Sequence, residues 1–118
     1  MAEDIYAATK DILKGVCAFR GVSIDEHSIE SKVQPELDNE IMLSFKFTLL
    51  FRILSIGNLP EKYFARCYYE SDPYPSGSYD YVVCDDPPVS DQTQKLVCEI
   101  FNDVKRLLLL QAFSLYLI

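Results

Sequence analysis

The side chains able to do acid-base or nucleophilic chemistry are few and scattered in this sequence. His27 is the single histidine, so a Ser-His or Cys-His pair would have to use it. It lies in a charged stretch, which is typical of a solvated loop histidine. The paired carboxylates Asp85 and Asp86 precede two prolines, a pattern typical of turns. We therefore expect no catalytic residues, and a small enzyme that combines His27 with Asp85, Asp86 or a cysteine stays a third alternative.

Motifs for metals and cofactors are equally sparse. The four cysteines are far apart and form no C-x-x-C pair, which disfavours a zinc site; they are Cys17, Cys67, Cys84 and Cys98. With four glycines in the chain, neither a Walker loop nor a dinucleotide fingerprint can be found. We expect no metal and no cofactor. Each cysteine lies in an apolar run, which favours reduced, buried thiols and a nuclear or cytoplasmic location.

The length and charge of the chain indicate a single domain that neither binds nucleic acid directly nor spans a membrane. The chain has 118 residues, the size of one domain, and a formal charge of -7 from 11 basic and 18 acidic residues. The basic residues form no cluster of the kind that phosphate binding needs, so direct nucleic-acid binding is not expected. Residues 107–118 are strongly apolar but fall short of the roughly 20 residues that a membrane-spanning helix needs. We expect them to form a buried final helix, with no membrane contact.

The hydrophobic spacing predicts a single α+β domain over residues 1–118, with a helix first, then an antiparallel meander of three to four strands, then a long C-terminal helix packed on the sheet. The first helix shows a stripe at three- and four-residue steps, made of Ile5, Ala8, Ile12, Val16 and Phe19. Gly21 should end this helix. The last helix should be capped by Ser90 or Asp91, with a kink or second cap at Asn102 and Asp103. Its stripe comprises Leu96, Val97, Ile100, Phe101, Val104, Leu107 and Leu108.

The strand pattern is strongest at residues 41–53, where every odd position is apolar and should point to one face. Residues 63–69 and 79–84 show shorter alternating runs. The polar residues 22–39 predict a short strand or turn followed by a loop. Tyrosines are concentrated in the second half of the sheet, and alternation places some of Phe64, Tyr68 and Val82 opposite the core. An aromatic patch there would be a partner-binding surface.

The order of these elements resembles RWD-type domains found at kinetochores. Residues 79–107, YDYVVCDDPPVSDQTQKLVCEIFNDVKRL, are similar to the end of the globular domains that cap coiled-coil subunits of the outer-kinetochore microtubule-coupling complex, or of the monopolin type. The resemblance covers most of the chain in architecture and about a quarter of it in residue pattern. It implies an RWD-like fold.

The resemblance also implies a non-catalytic adaptor for chromosome segregation, which forms a homo- or heterodimer with a similar domain and docks a peptide or helix. The candidate partner-binding residues are Phe64, Tyr68 and Tyr81 on the sheet and Phe113 and Tyr116 on the last helix. The acidic balance of the chain favours a basic peptide. A ubiquitin-pathway or viral adaptor of the same compact α+β type is the alternative. A coiled-coil heptad pattern upstream of Met1 in a longer gene product would favour the kinetochore assignment.

Overall fold

A computed structural model describes residues 2–38, 42–72, 77–85 and 87–117 of the chain, and side chains at residues 7–34, 46–70, 79–84, 87–108, 110 and 111. The elements follow in the order α1 (Ala2–Phe19), β1 (Val22–Asp38), β2 (Met42–Ile56), β3 (Leu59–Asp72), β4 (Gly77–Asp85) and α2 (Asp91–Leu117). The strands form one antiparallel sheet in the order β1-β2-β3-β4. The predicted α+β class, the meander and the final helix are confirmed.

Strict alternation along β2 gives the sheet two different faces. Phe47, Leu49, Phe51 and Ile53 are at most 2% exposed, whereas the residues between them are partly or fully exposed. The buried row faces both helices and forms with them a hydrophobic core. We call the opposite side, which neither helix covers among the described residues, the outer face. The sequence predicted this alternation, although Ile41, Leu43 and Phe45 lie outside the described side chains.

Strand β1 corrects the prediction of a short strand or turn followed by a loop. It is a 17-residue strand that pairs with β2 along most of its length. Strand β1 lies at the edge of the sheet. Among its described side chains, those of residues 22–34, Val22 and Val33 are the ones buried in the core. Backbone pairing to the strongly alternating β2 therefore outweighs the weak local signal.

The buried face of α1 differs from the predicted stripe. Thr9, Leu13, Val16 and Cys17 are at most 9% exposed, whereas Phe19 is 89% exposed. Helix α1 ends at Phe19, and Gly21 follows with φ of +71° as the expected helix stop. Gly57, in the β2-β3 turn, donates its N–H to the Gly21 carbonyl at 2.8 Å, so the end of α1 is joined to that turn. Phe19 lies beyond the part of the helix that contacts the core.

Helix α2 begins at the predicted cap. The Thr93 N–H donates to Ser90 Oγ at 3.2 Å, and this bond satisfies one of the free donors of the first turn. The helix continues through Asn102 and Asp103 as one 27-residue element, so the predicted second cap there is wrong. Leu107 is also 43% exposed rather than buried, since the core-facing row continues through Leu108.

An arginine connects the two helices at the C-terminal end of α1. The Arg20 guanidinium donates to the Asp103 carboxylate from Nε at 3.0 Å and from Nη2 at 2.7 Å, and Nη1 donates to Glu99 at 3.0 Å. The bonds to these acids, with that to Asp103 the largest cause, raise the pKa of Arg20. This paired geometry fixes α1 against α2 on the same side of the sheet.

Candidate functional site

Three of the residues predicted to bind a partner, Phe64, Tyr68 and Tyr81, lie on the outer face. Phe64 and Tyr68 alternate along β3 with the buried Tyr63, Ala65, Cys67 and Tyr69. Tyr81 on β4 is the register partner of Tyr68 and is 48% exposed. Val82, which the sequence placed opposite the core, instead packs against the core as a partly buried residue. Its neighbours Tyr81 and Val83 are the ones that face outward.

Tyr68, Tyr79 and Tyr81 form what we call the tyrosine cluster. The rings of Tyr68 and Tyr81 stack with centroids 5.4 Å apart and planes at 25°. Tyr79 meets both rings edge-on, at 6.1 Å from Tyr68 and 6.0 Å from Tyr81. Because each ring is positioned by the other two, the cluster offers a rigid aromatic surface of the kind that protein interfaces use. Tyr79, which is 62% exposed, was not among the predicted contacts.

Polar groups hold Tyr68 in place. Its hydroxyl donates to the Glu70 carboxylate, and Lys46 Nζ lies 3.6 Å from the other oxygen of Glu70. A tyrosine phenol keeps its proton around neutral pH, and the bond to Glu70 is the main cause that raises the pKa of Tyr68 further. One end of the tyrosine cluster is therefore a neutral hydrogen-bonding group beside an already paired carboxylate.

A depression of about 410 Å³, which we call the sheet groove, crosses the outer face beside the tyrosine cluster. Thr48 and Leu50 on β2 are its central lining residues. Glu30 and Lys32 on β1 line one side and Tyr68 and Tyr81 the other, with Arg66 on β3. An apolar floor with aromatic and charged walls is a surface suited to binding a chain segment. The sequence did not identify the β1 and β2 members, because β1 was not predicted to pair here.

Phe64 lies nearer the end of β3, apart from the tyrosines. The Arg52 guanidinium stands over its ring, with the central carbon 5.4 Å from the ring centroid. This is a cation–π contact between register partners on β2 and β3. Phe64 therefore extends the aromatic part of the outer face, with its ring already partly covered by Arg52.

The second predicted surface, on the last helix, is only partly described. The backbone of α2 includes residues 113 and 116, but the side chains of Phe113 and Tyr116 lie outside the described part of the chain. A second depression of about 430 Å³, the helix groove, lies between α1 and α2. Its lining residues are Ile12, Gly15, Val16, Phe19, Asp103, Arg106 and Leu107. Leu110, on the next turn of α2, is 62% exposed.

The residues considered for chemistry are not brought together. His27 is exposed and lies in the irregular part of β1, where its N–H donates to Asp25 Oδ1 at 3.0 Å. Asp85 belongs to β4, at the opposite edge of the four-stranded sheet, roughly three strand spacings of about 4.8 Å away. Asp86 lies outside the described residues. All four cysteines are thiols outside any disulfide; Cys17, Cys67 and Cys84 are buried and Cys98 is partly buried.

Comparisons with known proteins identify no relative of this chain. No protein-family model matches it, and no curated protein or solved structure shows a significant match. Over the described residues, neither helix is long and apolar enough to cross a membrane.

Proposed function

We propose that this chain is a non-catalytic protein-interaction module that docks a partner on the outer face of its sheet. The observation that supports this most is the tyrosine cluster, in which Tyr79 and Tyr81 are 62% and 48% exposed on a face that neither described helix covers. Exposed, mutually packed tyrosines provide contact area at low cost in side-chain entropy, and tyrosine is enriched among residues that dominate binding. The sheet groove next to them gives the partner a place to lie.

The replacement Tyr81→Ser tests this docking surface. Tyr81 both stacks on Tyr68 and lines the sheet groove, so its loss removes contact area and loosens the cluster. We expect peptides selected from a displayed random library on the wild-type chain to bind the variant at least about tenfold more weakly, as for a central aromatic contact. Fluorescence anisotropy with the labelled peptides measures the change.

The matched control is Phe19→Ser, which removes an even more exposed aromatic ring from the helix side. Circular dichroism should show both variants folded, because neither ring is buried. Selected peptides that lose affinity for the Phe19 variant and keep it for the Tyr81 variant would contradict docking on the sheet.

A second surface, the helix groove, supports the proposal that the module also dimerises. Phe19, Leu107 and Leu110 are 89%, 43% and 62% exposed, and two of them line the groove beside Ile12 and Val16. Apolar residues concentrated in this way are typical of association sites. The partner is a second copy of the chain or a similar domain.

The double replacement Phe19→Asp with Leu110→Asp is expected to weaken self-association at least about tenfold, because it puts charge into an apolar contact. Light scattering over a concentration series measures the mass. Point replacements are preferred to truncation after Arg106, because truncation removes the buried Leu108. Tyr79→Ser, on the other face, should leave the mass unchanged. A wild-type chain that stays monomeric at every concentration would contradict a homodimer.

We propose a kinetochore adaptor of the RWD type as the biological setting. The order of a helix, a four-stranded meander and a long helix agrees with the resemblance of residues 79–107. A ubiquitin-pathway or viral adaptor could use the same frame, because a fold does not define a function. Co-localisation of the tagged chain with a centromere marker in dividing cells discriminates between the two settings.

A further inference from the structure

We propose that the outer face binds a basic segment of the partner protein, with a lysine or arginine of that segment on the exposed rings of Tyr79 and Tyr81. The inference rests on the proposed docking function of this face and specifies the chemistry of the partner. The net charge of the whole chain favours a basic peptide without saying where it binds. The strand register assigns its charged residues to one end of one face.

The negative charge of the outer face is concentrated at one end. In the regularly paired part of the sheet, the register places seven acidic and four basic residues on this face, namely Asp25, Glu30, Glu36, Asp38, Glu70, Asp72 and Asp85, and Lys32, Lys46, Arg52 and Arg66. We call the part where β1 and β3 end and β4 begins the acidic end; it comprises Glu36, Asp38, Glu70 and Asp72, with Lys46 as the one basic residue among these paired positions. The other three acidic residues are balanced by three basic ones. The excess of negative charge on this face therefore belongs to the acidic end.

Tyr79 lies where the tyrosine cluster meets the acidic end. It is the register partner of Glu70, and Asp72 follows two residues further along β3, a distance of about 7 Å on an extended strand. The Tyr79 side chain is 62% exposed. A cation that contacts this ring is therefore placed next to the acidic residues that carry the excess charge.

The rings of Tyr79 and Tyr81 are open to such a cation. Elsewhere the chain covers its own aromatic rings in this way: Lys105 Nζ lies 4.6 Å from the ring centroid of Tyr69, and Arg52 stands over Phe64. Among the described side chains, no cation stands over Tyr79 or Tyr81. A lysine or arginine from the partner gains both the contact with the ring face and the attraction of nearby carboxylates, which a neutral or acidic segment does not gain.

The sheet groove determines how the rest of the segment lies. Thr48 and Leu50 line its centre without charge, and Lys32 and Arg66 line it together with Glu30. Basic residues gain nothing over this balanced part of the face. We therefore expect uncharged residues of the segment in the groove and its basic residues on the side of Tyr79.

The segment should lie on the face rather than extend the sheet. Strand β4 is an edge strand, and an added strand would need its free backbone groups. Gln94 Nε2 on α2 already donates to the Val82 carbonyl at 2.6 Å. This edge is thus partly blocked by the helix, whereas the exposed rings of the tyrosine cluster stay accessible.

The first test measures the net charge of peptides selected from a charge-balanced displayed library on the full chain. We expect the enriched peptides that require Tyr81 to be basic and to contain uncharged residues beside the basic ones. Replacing their Lys and Arg by Gln should weaken binding, and added salt should weaken the parent peptides more than the neutral ones. Peptides that require Tyr81 but are neutral or acidic would overturn the basic partner and leave the docking surface intact. If no selected peptide requires Tyr81, the docking surface itself fails.

Charge reversal at the acidic end provides the second measurement. Asp72→Lys is expected to weaken an enriched basic peptide about fivefold, the size of one exposed charge contact. The matched control is Asp11→Lys, which makes the same change in net charge at an exposed position of α1 and should have a much smaller effect. Asp72→Asn with Asp11→Asn is the milder pair if a reversal prevents folding. Equal effects within a pair would overturn the placement of the basic residues at the acidic end.

Two replacements of Tyr79 separate the cation contact from apolar contact. Tyr79→Phe keeps the ring face and should bind the enriched peptides as the wild type does, whereas Tyr79→Leu keeps apolar area alone and should bind them about threefold more weakly, the size of an exposed cation–π contact. The difference should disappear for the peptides with Gln in place of Lys and Arg. Equal affinities of the two variants for the basic peptides would overturn the placement of the cation on this ring.

Discussion

Replacing Phe47 by alanine is expected to lower the free energy of unfolding by about 3–5 kcal/mol. The Phe47 side chain is 0% exposed in the middle of β2, and its ring stacks on Phe101 of α2 with centroids 5.5 Å apart. The replacement removes the main aromatic contact between the sheet and the last helix and leaves a cavity that the paired strands cannot close. Because a domain of this size is stable by only about 5–15 kcal/mol, much of the variant should be unfolded at moderate urea concentration.

Urea denaturation followed by far-ultraviolet circular dichroism measures this loss. Tyr79→Ala is the matched control, since it removes an aromatic ring of similar size from an exposed position of β4, and it should cost less than about 1 kcal/mol. Equal losses for the two variants would contradict the assignment of Phe47 to the core and Tyr79 to the outer face.

The sequence could predict those parts of the fold in which apolar and polar residues alternate regularly along a strand. Strand β2 has an unbroken alternation, so Phe47 and Phe51 could be assigned to the core from spacing alone. Strand β1 could not be predicted, because its sequence is polar and its structure depends on pairing with β2. In β4, Tyr81, Val82 and Val83 are apolar or aromatic in succession, so the pattern does not say which face is buried. Packing against α2 decides it, and Val82 faces inward.

The candidate site could be predicted only for residues on one strand pair. Alternation in β3 was enough to put Phe64 and Tyr68 on the outer face. The groove wall formed by Glu30 and Lys32 depends on a register between distant segments, which a single sequence does not encode locally.

The free energy of unfolding is expected to fall steeply between about pH 9 and pH 11. The cause is a set of thiol and phenol groups, buried between the helices and the sheet, that ionise more readily in the unfolded chain. Burial raises the pKa of the Cys17 thiol to about 12. Burial is also the main cause that raises the pKa of Cys67 and of Tyr63, and the hydroxyl of Tyr63 has no hydrogen-bond partner among the described side chains. These groups stay neutral in the folded chain at pH values where the unfolded chain ionises.

The direction follows from proton linkage. Below about pH 9 both states hold the thiol protons, so the stability is fully present. Above it the unfolded state loses protons that the folded state keeps, and each thiol lowers the free energy of unfolding by up to about 1.4 kcal/mol per pH unit. For Cys17 and Cys67 together we expect a loss of roughly 5 kcal/mol by pH 11, with Tyr63 adding to it above about pH 10.

Urea denaturation under reducing conditions, repeated from about pH 8 to pH 11, measures this slope. Cys17→Ala should make the slope shallower by up to one proton, because one group that ionises only on unfolding has been removed. Cys98→Ala is the matched control: Cys98 is a partly buried thiol on α2, and its removal should change the slope less. Since other alkaline effects are common to all three proteins, identical slopes for the wild type and the Cys17 variant would contradict a buried neutral thiol between α1 and the sheet.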